Sequence, residues 1–305
     1  MYRKKALCLA LVFLAALASA ACSDGVKPTN SDSLTVSVTI DVVYEFAKEI
    51  AEDRVTIHKI VPDGVAVHDF EPKARDIAAL SDSDLFIIIG LGMEPWTEKI
   101  QSENLLIVEA SNGITPLHAG DDHAHDHDHD HDHGDEYDPH IWLSLKCAAQ
   151  MVSNITDALC GISPENKEFF EGNCQAYLEK LDDLHKEYEQ KFKVFEKKDF
   201  VTSHAAFAYM CRDYGLIQNG VSGVFAEGEP VAKKIAELTD FCKENSISVI
   251  FAEHGESSQI QDTLARQTGA RMETLYTIEV AENGKSYIER MSHNLSVIHD
   301  SLGNI

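Results

Sequence analysis

Basic residues and paired cysteines are what this chain is short of, and each shortage narrows its role. Lys and Arg total 26 against 51 Asp and Glu, for a formal charge of -25. Such a surface repels nucleic-acid phosphates and anionic lipid, so no nucleic-acid partner is expected. It attracts cations, but only over short range, because salt screens surface charge beyond roughly 10 Å. Solubility alone explains most of those carboxylates. The 7 cysteines form no CxxC and no regular framework, which argues against a cysteine metal site. Cys8 falls in the leader described below, and Cys147, Cys160, Cys174, Cys211 and Cys242 remain beside Cys22. An oxidising compartment permits disulfides. Cys211 with Cys242 and Cys160 with Cys174 are both candidate pairs; the sequence does not choose, and an odd count leaves one thiol over. Long apolar runs are also missing: nothing approaches the about 20 residues that span a bilayer.

The longest apolar run lies at the start and reads as an export signal. Arg3, Lys4 and Lys5 form a basic region, Ala6 to Leu17 an apolar one, and Ala18-Ser19-Ala20-Ala21 a small-residue cleavage zone, giving a signal peptide over 1–21. Its removal takes the formal charge from -25 to -28. Cys22 then opens a polar, unpatterned stretch to Ser33, which resembles a lipoprotein signal with a lipid anchor at Cys22 and a tether over 22–33. That pattern prefers Leu where Ser19 stands, and cleavage after Ala20 fits almost as well. A lone thiol at a mature N-terminus otherwise has no purpose, which favours lipidation. The expected location is the periplasm, with or without a membrane tether.

From Leu34 onward, short apolar runs alternate with helical spacing. Leu34 to Ile40 alternates like a strand, Val42 to Ile50 is helical, and Val55 to Val61 looks like a second strand. Leu85 to Ile89 is apolar throughout, as a strand buried on both faces must be, and Leu105 to Val108 is another strand. This βα succession predicts a mostly parallel sheet flanked by helices over 34–163. Ser144 to Cys160 is helical. Pro164 to about Glu196 gives a long amphipathic helix, about 45 Å at 1.5 Å per residue, assigned as a connecting helix over 164–197. A second series over 198–305 repeats the pattern, with strands at Phe200–Thr202, Leu216–Asn219, Ser248–Ala252 and Arg271–Thr277. Helices are expected at Ala205–Tyr214, Pro230–Glu244, Ser257–Thr268 and Lys285–Leu302. The fold class is α/β: two lobes, each a mostly parallel sheet flanked by helices, joined by one long helix.

The 15 histidines fall into two populations. His123, His125, His127, His129, His131 and His133, with His118 nearby, sit in a polar insertion where Asp alternates with His. Such a tract over 118–134 offers many imidazole and carboxylate ligands on a flexible segment, a compositional signal for metal. Ordering it costs entropy, so it suits weak collection of several ions rather than one specific site. The second population lies on connections between elements. His68 follows the second strand, His140 in Asp138-Pro-His140 enters a helix, and His204 stands between a strand and a helix. Ligands of open α/β sheets bind outside the carboxyl ends of the strands, so three histidines at matching positions, two in one lobe and one in the other, point to a metal site between lobes.

The motifs Val67-His-Asp-Phe-Glu-Pro72, Asp138-Pro-His-Ile-Trp-Leu143 and Ser203-His-Ala-Ala-Phe207 resemble those of the zinc/manganese solute-binding proteins of ABC importers, specifically the ZnuA-type zinc branch. Glu227-Gly-Glu-Pro230, Ile250-Phe-Ala-Glu253 and the His-rich insertion extend the resemblance to nearly all of 34–302. It implies a cleft between lobes, a connecting helix that limits hinge motion, a membrane permease as partner, and four ligands. Three carry over as His68, His140 and His204, and Leu275-Tyr-Thr-Ile-Glu279 places Glu279 as the fourth, with Glu282 nearby. His254 departs from the family pattern and is read as a loop histidine or auxiliary ligand. Manganese members tend to carry a carboxylate where this chain has His204. Three imidazoles and one carboxylate suit Zn2+, although copper and nickel bind such sets too. Imidazoles must be neutral to bind, so affinity is expected to fall below their reference pKa of about 6.5.

The resulting expectation is a monomeric zinc receptor that performs no catalysis. Two rivals remain open on sequence. A zinc hydrolase would need an open coordination position and a base, for which Glu279 or Glu253 would serve, but the chain has no HExxH. A stand-alone zinc buffer or adhesin would depend mainly on the insertion. A receptor for an iron chelate would need basic residues around its ligand, which this acidic chain lacks.

Overall fold

The computed structural model describes residues 34–65, 67–68, 70–100, 105–119, 136–225, 232–255, 258–282 and 284–303. The leader, Cys22, the polar tether, His123, His125, His127, His129, His131, His133 and Glu227-Gly-Glu-Pro230 lie outside the described residues.

Apolar runs become strands where both faces are covered. In the first lobe β1 (Thr35–Val38), β2 (Thr56–Lys59), β3 (Leu85–Ile88) and β4 (Leu106–Glu109) form a parallel sheet in the order β2-β1-β3-β4. Every residue of β3 is buried, as its unbroken apolar run requires, whereas the edge strand β2 alternates between exposed and half-buried. Helix α1 (Asp41–Ala51) follows β1 and buries Val42, Val43, Phe46, Ala47 and Ile50, the one-sided spacing of a helix on a sheet. Helix α2 (Ala74–Leu80) buries only Leu80, so it carries no apolar period and was not legible in the sequence.

Between the lobes run α3 (Leu145–Ile162) and α4 (Lys167–Phe192). The second lobe has β5 (Asp199–His204), β6 (Ile217–Ser222), β7 (Val249–Glu253) and β8 (Arg271–Leu275), all parallel in the order β6-β5-β7-β8. Around them lie α5 (Ala208–Tyr214), α6 (Ala232–Glu244), α7 (Gln259–Thr268) and α8 (Tyr287–Leu302). The two sheets share one strand order. Each therefore has a switch point between its first and third strands, where connections leave in opposite directions and open a crevice.

Helix α4 joins the lobes. It buries Phe170, Cys174, Tyr177, Leu181, Leu184, Tyr188 and Phe192, a stripe repeating every three or four residues. It packs on α1 and α3 on one side and on α5 and α8 on the other. Its 26 residues span about 39 Å. That is seven residues fewer than the 164–196 expected, because Pro164–Asn166 forms a separate 3-10 turn ahead of it and the helix stops at Phe192. None of Cys147, Cys160, Cys174, Cys211 and Cys242 is in a disulfide, so neither candidate pair is joined. No helix among the described residues is long and apolar enough to cross a membrane.

Phe170 is fully buried in the core that both lobes share through α4. Phe170→Ala should lower the unfolding free energy by about 3–5 kcal/mol, read as a lower urea midpoint. A loss below about 0.5 kcal/mol, the range of surface changes, would mean that α4 does not carry the core.

Candidate metal centre

Each candidate ligand sits on, or at the edge of, a connection between elements at the cleft. His68 lies in the loop after β2, and His140 immediately precedes a 3-10 turn at Ile141–Leu143. His204 is the last residue of β5, and Glu279 lies four residues beyond the end of β8. One ligand atom from each of the four falls within 4.8 Å of all the others. The Nε2 atoms of His68 and His140 are 3.2 Å apart, and those of His204 and His140 are 3.5 Å apart. His140 Nε2 stands 3.6 Å from Glu279 Oε1, too long for a hydrogen bond but close for an ion pair. His140 is wholly buried and His204 nearly so, whereas His68 and Glu279 are half-buried at the cleft side.

Two carboxylates behind the ring set which nitrogen faces the centre. Asp138 Oδ1 accepts from both the backbone N–H of His140 (2.9 Å) and its Nδ1 (2.8 Å). Glu253 Oε1 accepts from the backbone N–H (3.0 Å) and Nδ1 (2.6 Å) of His204. A proton held on Nδ1 by a carboxylate leaves the Nε2 lone pair for a metal, and such pairs fix ring orientation and raise basicity. Glu253 ends β7, beside β5, so this pair spans the switch point of the second sheet. Neither carboxylate is marked for this role by the sequence alone. The available signals were an Asp two residues before His140 and a lone Glu closing the apolar strand Val249–Glu253. Because Glu253 is committed to His204, it is poorly placed as the base of a hydrolase.

The loop that brings Glu279 into the cleft carries a local irregularity. Ile278, fully buried and β-branched, has φ of +62°, in the left-handed region. A residue held there costs about 1–3 kcal/mol and persists only where its surroundings over-determine it. The turn it makes directs the next side chain toward His140.

The insertion starts and ends beside the centre. His118 and Tyr137 form an antiparallel bridge, Ala119 N–H donates to Glu136 O at 3.0 Å and Asp138 N–H to Leu117 O at 2.9 Å. Tyr209 ties the base further, its hydroxyl donating to Asp138 O and accepting from Leu117 N–H. His118 is therefore part of the stem and not one of the four convergent residues. His254 is also outside that group: its Nδ1 is 3.4 Å from Glu282 Oε1. Burial pushes the Glu282 carboxyl up to about 7.

Electrostatics of the centre are dominated by His140. Burial opposes its charge, but the Asp138 hydrogen bond and the adjacent Glu279 carboxylate outweigh burial and push its pKa up to about 9. Glu279 is likewise opposed by burial, yet the neighbouring imidazoles, His140 first, hold it below the usual carboxylate range. The cluster is built to gather positive charge between two lobes.

A family model described as "Zinc-uptake complex component A periplasmic" (ZnuA) matches residues 36–301. The chain belongs to this family. Among its relatives, a "Putative metal-binding protein" of Treponema pallidum (strain Nichols) is 40% identical over 295 residues, covering 95% of this chain and 93% of that protein. The "High-affinity zinc uptake system protein ZnuA" of Bacillus subtilis (strain 168) is 38% identical over 288 residues, covering 91% and 90%. A solved structure, the laminin-binding protein Lmb of Streptococcus agalactiae, described as bifunctional with adhesin and metal-transporting activity, superposes with a TM-score of 0.80. It is 32% identical and covers 88% of this chain and 99% of that one. The two-lobed architecture with its long helix is thus the fold of this ZnuA family.

A raised His140 pKa changes the pH behaviour expected from free imidazole. A metal held by His140 would have to displace the proton that this side chain keeps up to about pH 9. Apparent affinity should therefore keep rising, about tenfold per pH unit for this one proton, between about 6.5 and 9. Calorimetry in buffers of different ionisation enthalpy should show about one proton released per ion near pH 7.5. An affinity that is flat above about 6.5 would contradict this electrostatic picture.

Proposed function

We propose that this chain is an exported zinc receptor that holds one Zn2+ ion tightly between its lobes and hands it to the membrane permease of an ABC importer. The observation that carries this reading is the convergence of three imidazole Nε2 atoms and one carboxylate, supplied by both lobes, within 4.8 Å. Zinc favours four-coordinate sites of nitrogen and oxygen, and a closed shell without a water position suits storage and transfer rather than hydrolysis. Manganese prefers more oxygen ligands, so His204 in this set selects against it. The ion is cargo. His68, His140, His204 and Glu279 are its ligands in this reading, and Asp138 and Glu253 orient two of them.

Delivery follows from the family and from the architecture. Ligands divided between lobes make a site whose loops the ion orders while the long helix limits hinge motion, and a permease can recognise that loaded form. The insertion, stapled at its base two residues from His140, suits an accessory collector that raises local zinc near the cleft. Export through the leader, a lipid anchor at Cys22, a periplasmic location and a monomeric state complete the proposal. They rest on the sequence features given above.

Deleting residues 118–134 and replacing His140 or His204 with Ala separates this reading from a stand-alone buffer. The deletion should remove several weak ions and leave one tight zinc per chain. His140→Ala should abolish the tight site and leave the weak ones, as read by equilibrium dialysis and elemental analysis. Loss of all zinc binding on deletion, with His140→Ala unaffected, would make the insertion the functional element instead.

A further inference from the structure

Glu279 hangs on a loop whose backbone is gripped at nearly every carbonyl. Asn294 accepts from Tyr276 N–H at 2.9 Å and donates to Tyr276 O at 2.7 Å, standing in for a neighbouring strand. Trp142 Nε1 donates to Thr277 O at 2.7 Å. The N–H of Asp41, the first residue of α1 and one of the donors a helix start leaves without an internal partner, reaches Glu279 O at 3.3 Å. Arg290 Nη1 donates to Val280 O at 2.9 Å. Asn294 and Arg290 belong to α8 in the second lobe, whereas Trp142 and Asp41 belong to the first. The loop is therefore clasped from both sides of the cleft.

Arg290 is the common member of that clasp. Its side chain is 1% exposed, and its Nη2 donates to Asp41 Oδ2 at 3.2 Å and Glu45 Oε2 at 2.5 Å. Asp41 also accepts from Lys59 at 3.0 Å, so the acceptor is itself fixed. One planar guanidinium thus touches the carbonyl next to the ligand and two carboxylates of the opposite lobe at once. A lysine, with a single point charge, cannot span that set.

We propose that Arg290 is a positioning residue for Glu279, fastening the ligand loop to α1 so that the carboxylate stays against His140 only while the two lobes keep their register. The inference rests on the zinc-receptor reading and adds to it a route for release. Withdrawal of Glu279 and displacement of one lobe against the other break the same hydrogen bonds, so they happen together. A permease that pries the lobes apart would then remove the fourth ligand without touching it.

A double-mutant cycle tests this. Zinc affinity is measured by chelator competition, beside melting temperature, in the full chain and in Glu279→Gln, Arg290→Lys and the double variant. Arg290→Lys should weaken zinc by about tenfold or more, the range for groups that orient ligands. In the Glu279→Gln background the same change should have no further effect, because the ligand it positions is already lost. Asp41→Asn, which loosens the clasp from the other lobe without removing a buried cation, should show the same dependence. A residue that only stabilises the fold would lower the melting temperature and either spare affinity or weaken it equally in both backgrounds; either result overturns the proposal. A full chain without tight zinc binding overturns the receptor reading itself, which separates the two failures.

Discussion

Three converging imidazoles, with the Nε2 atoms of His68 and His204 at 3.2 and 3.5 Å from that of His140, are the constraint on which the rest of the structure depends. If all were protonated they would repel, and if their lone pairs merely faced each other nothing would hold them together. Asp138 and Glu253 resolve this from behind by engaging the Nδ1 atoms of His140 and His204, and Glu279 resolves it from the front with its charge. These groups arrive from different lobes, so the lobes must be held in a fixed relation. That is the task of α4, whose apolar stripe belongs to one core shared by both lobes, and of the Arg290 clasp.

Burial fixes the shape of the cluster. His140 is wholly inside, fixed at Nδ1, and has little freedom to adapt to a cation of another size. A set of three nitrogens and one oxygen fits zinc better than a cation that seeks six oxygens. The insertion has the opposite character, with many ligands and no apolar anchor. Ordering such a tract around an ion costs more entropy than filling a preformed cluster, which is why weak accessory collection is proposed for it.

Much of this was legible in the sequence. The apolar run Leu85–Ile89 gave a buried central strand, and the stripe Phe170, Tyr177, Leu181, Leu184, Tyr188 and Phe192 gave the long helix. His68, His140, His204 and Glu279 could be picked from their positions after strands and from family motifs, and they are the four that converge. What was not legible depends on long-range contact. The role of Glu253 exists only because β7 lies beside β5, and that of Arg290 only because α8 meets α1 across the cleft. Arg290 has no local pattern to betray it, and a Glu closing an apolar strand does not name its partner. Helix α2 was missed because it buries almost nothing, and the common strand order of the two lobes leaves no repeat in the residues. The pKa of His140 likewise reflects two carboxylates, of which only Asp138 is a sequence neighbour.

The most direct measurement is anomalous diffraction at the zinc edge from crystals of the zinc-loaded chain. The expected result is one dominant peak between the lobes, about 2.0–2.2 Å from the Nε2 atoms of His68, His140 and His204 and from a Glu279 carboxylate oxygen. A dominant peak elsewhere, with those four side chains left without metal, would contradict the assignment of the site.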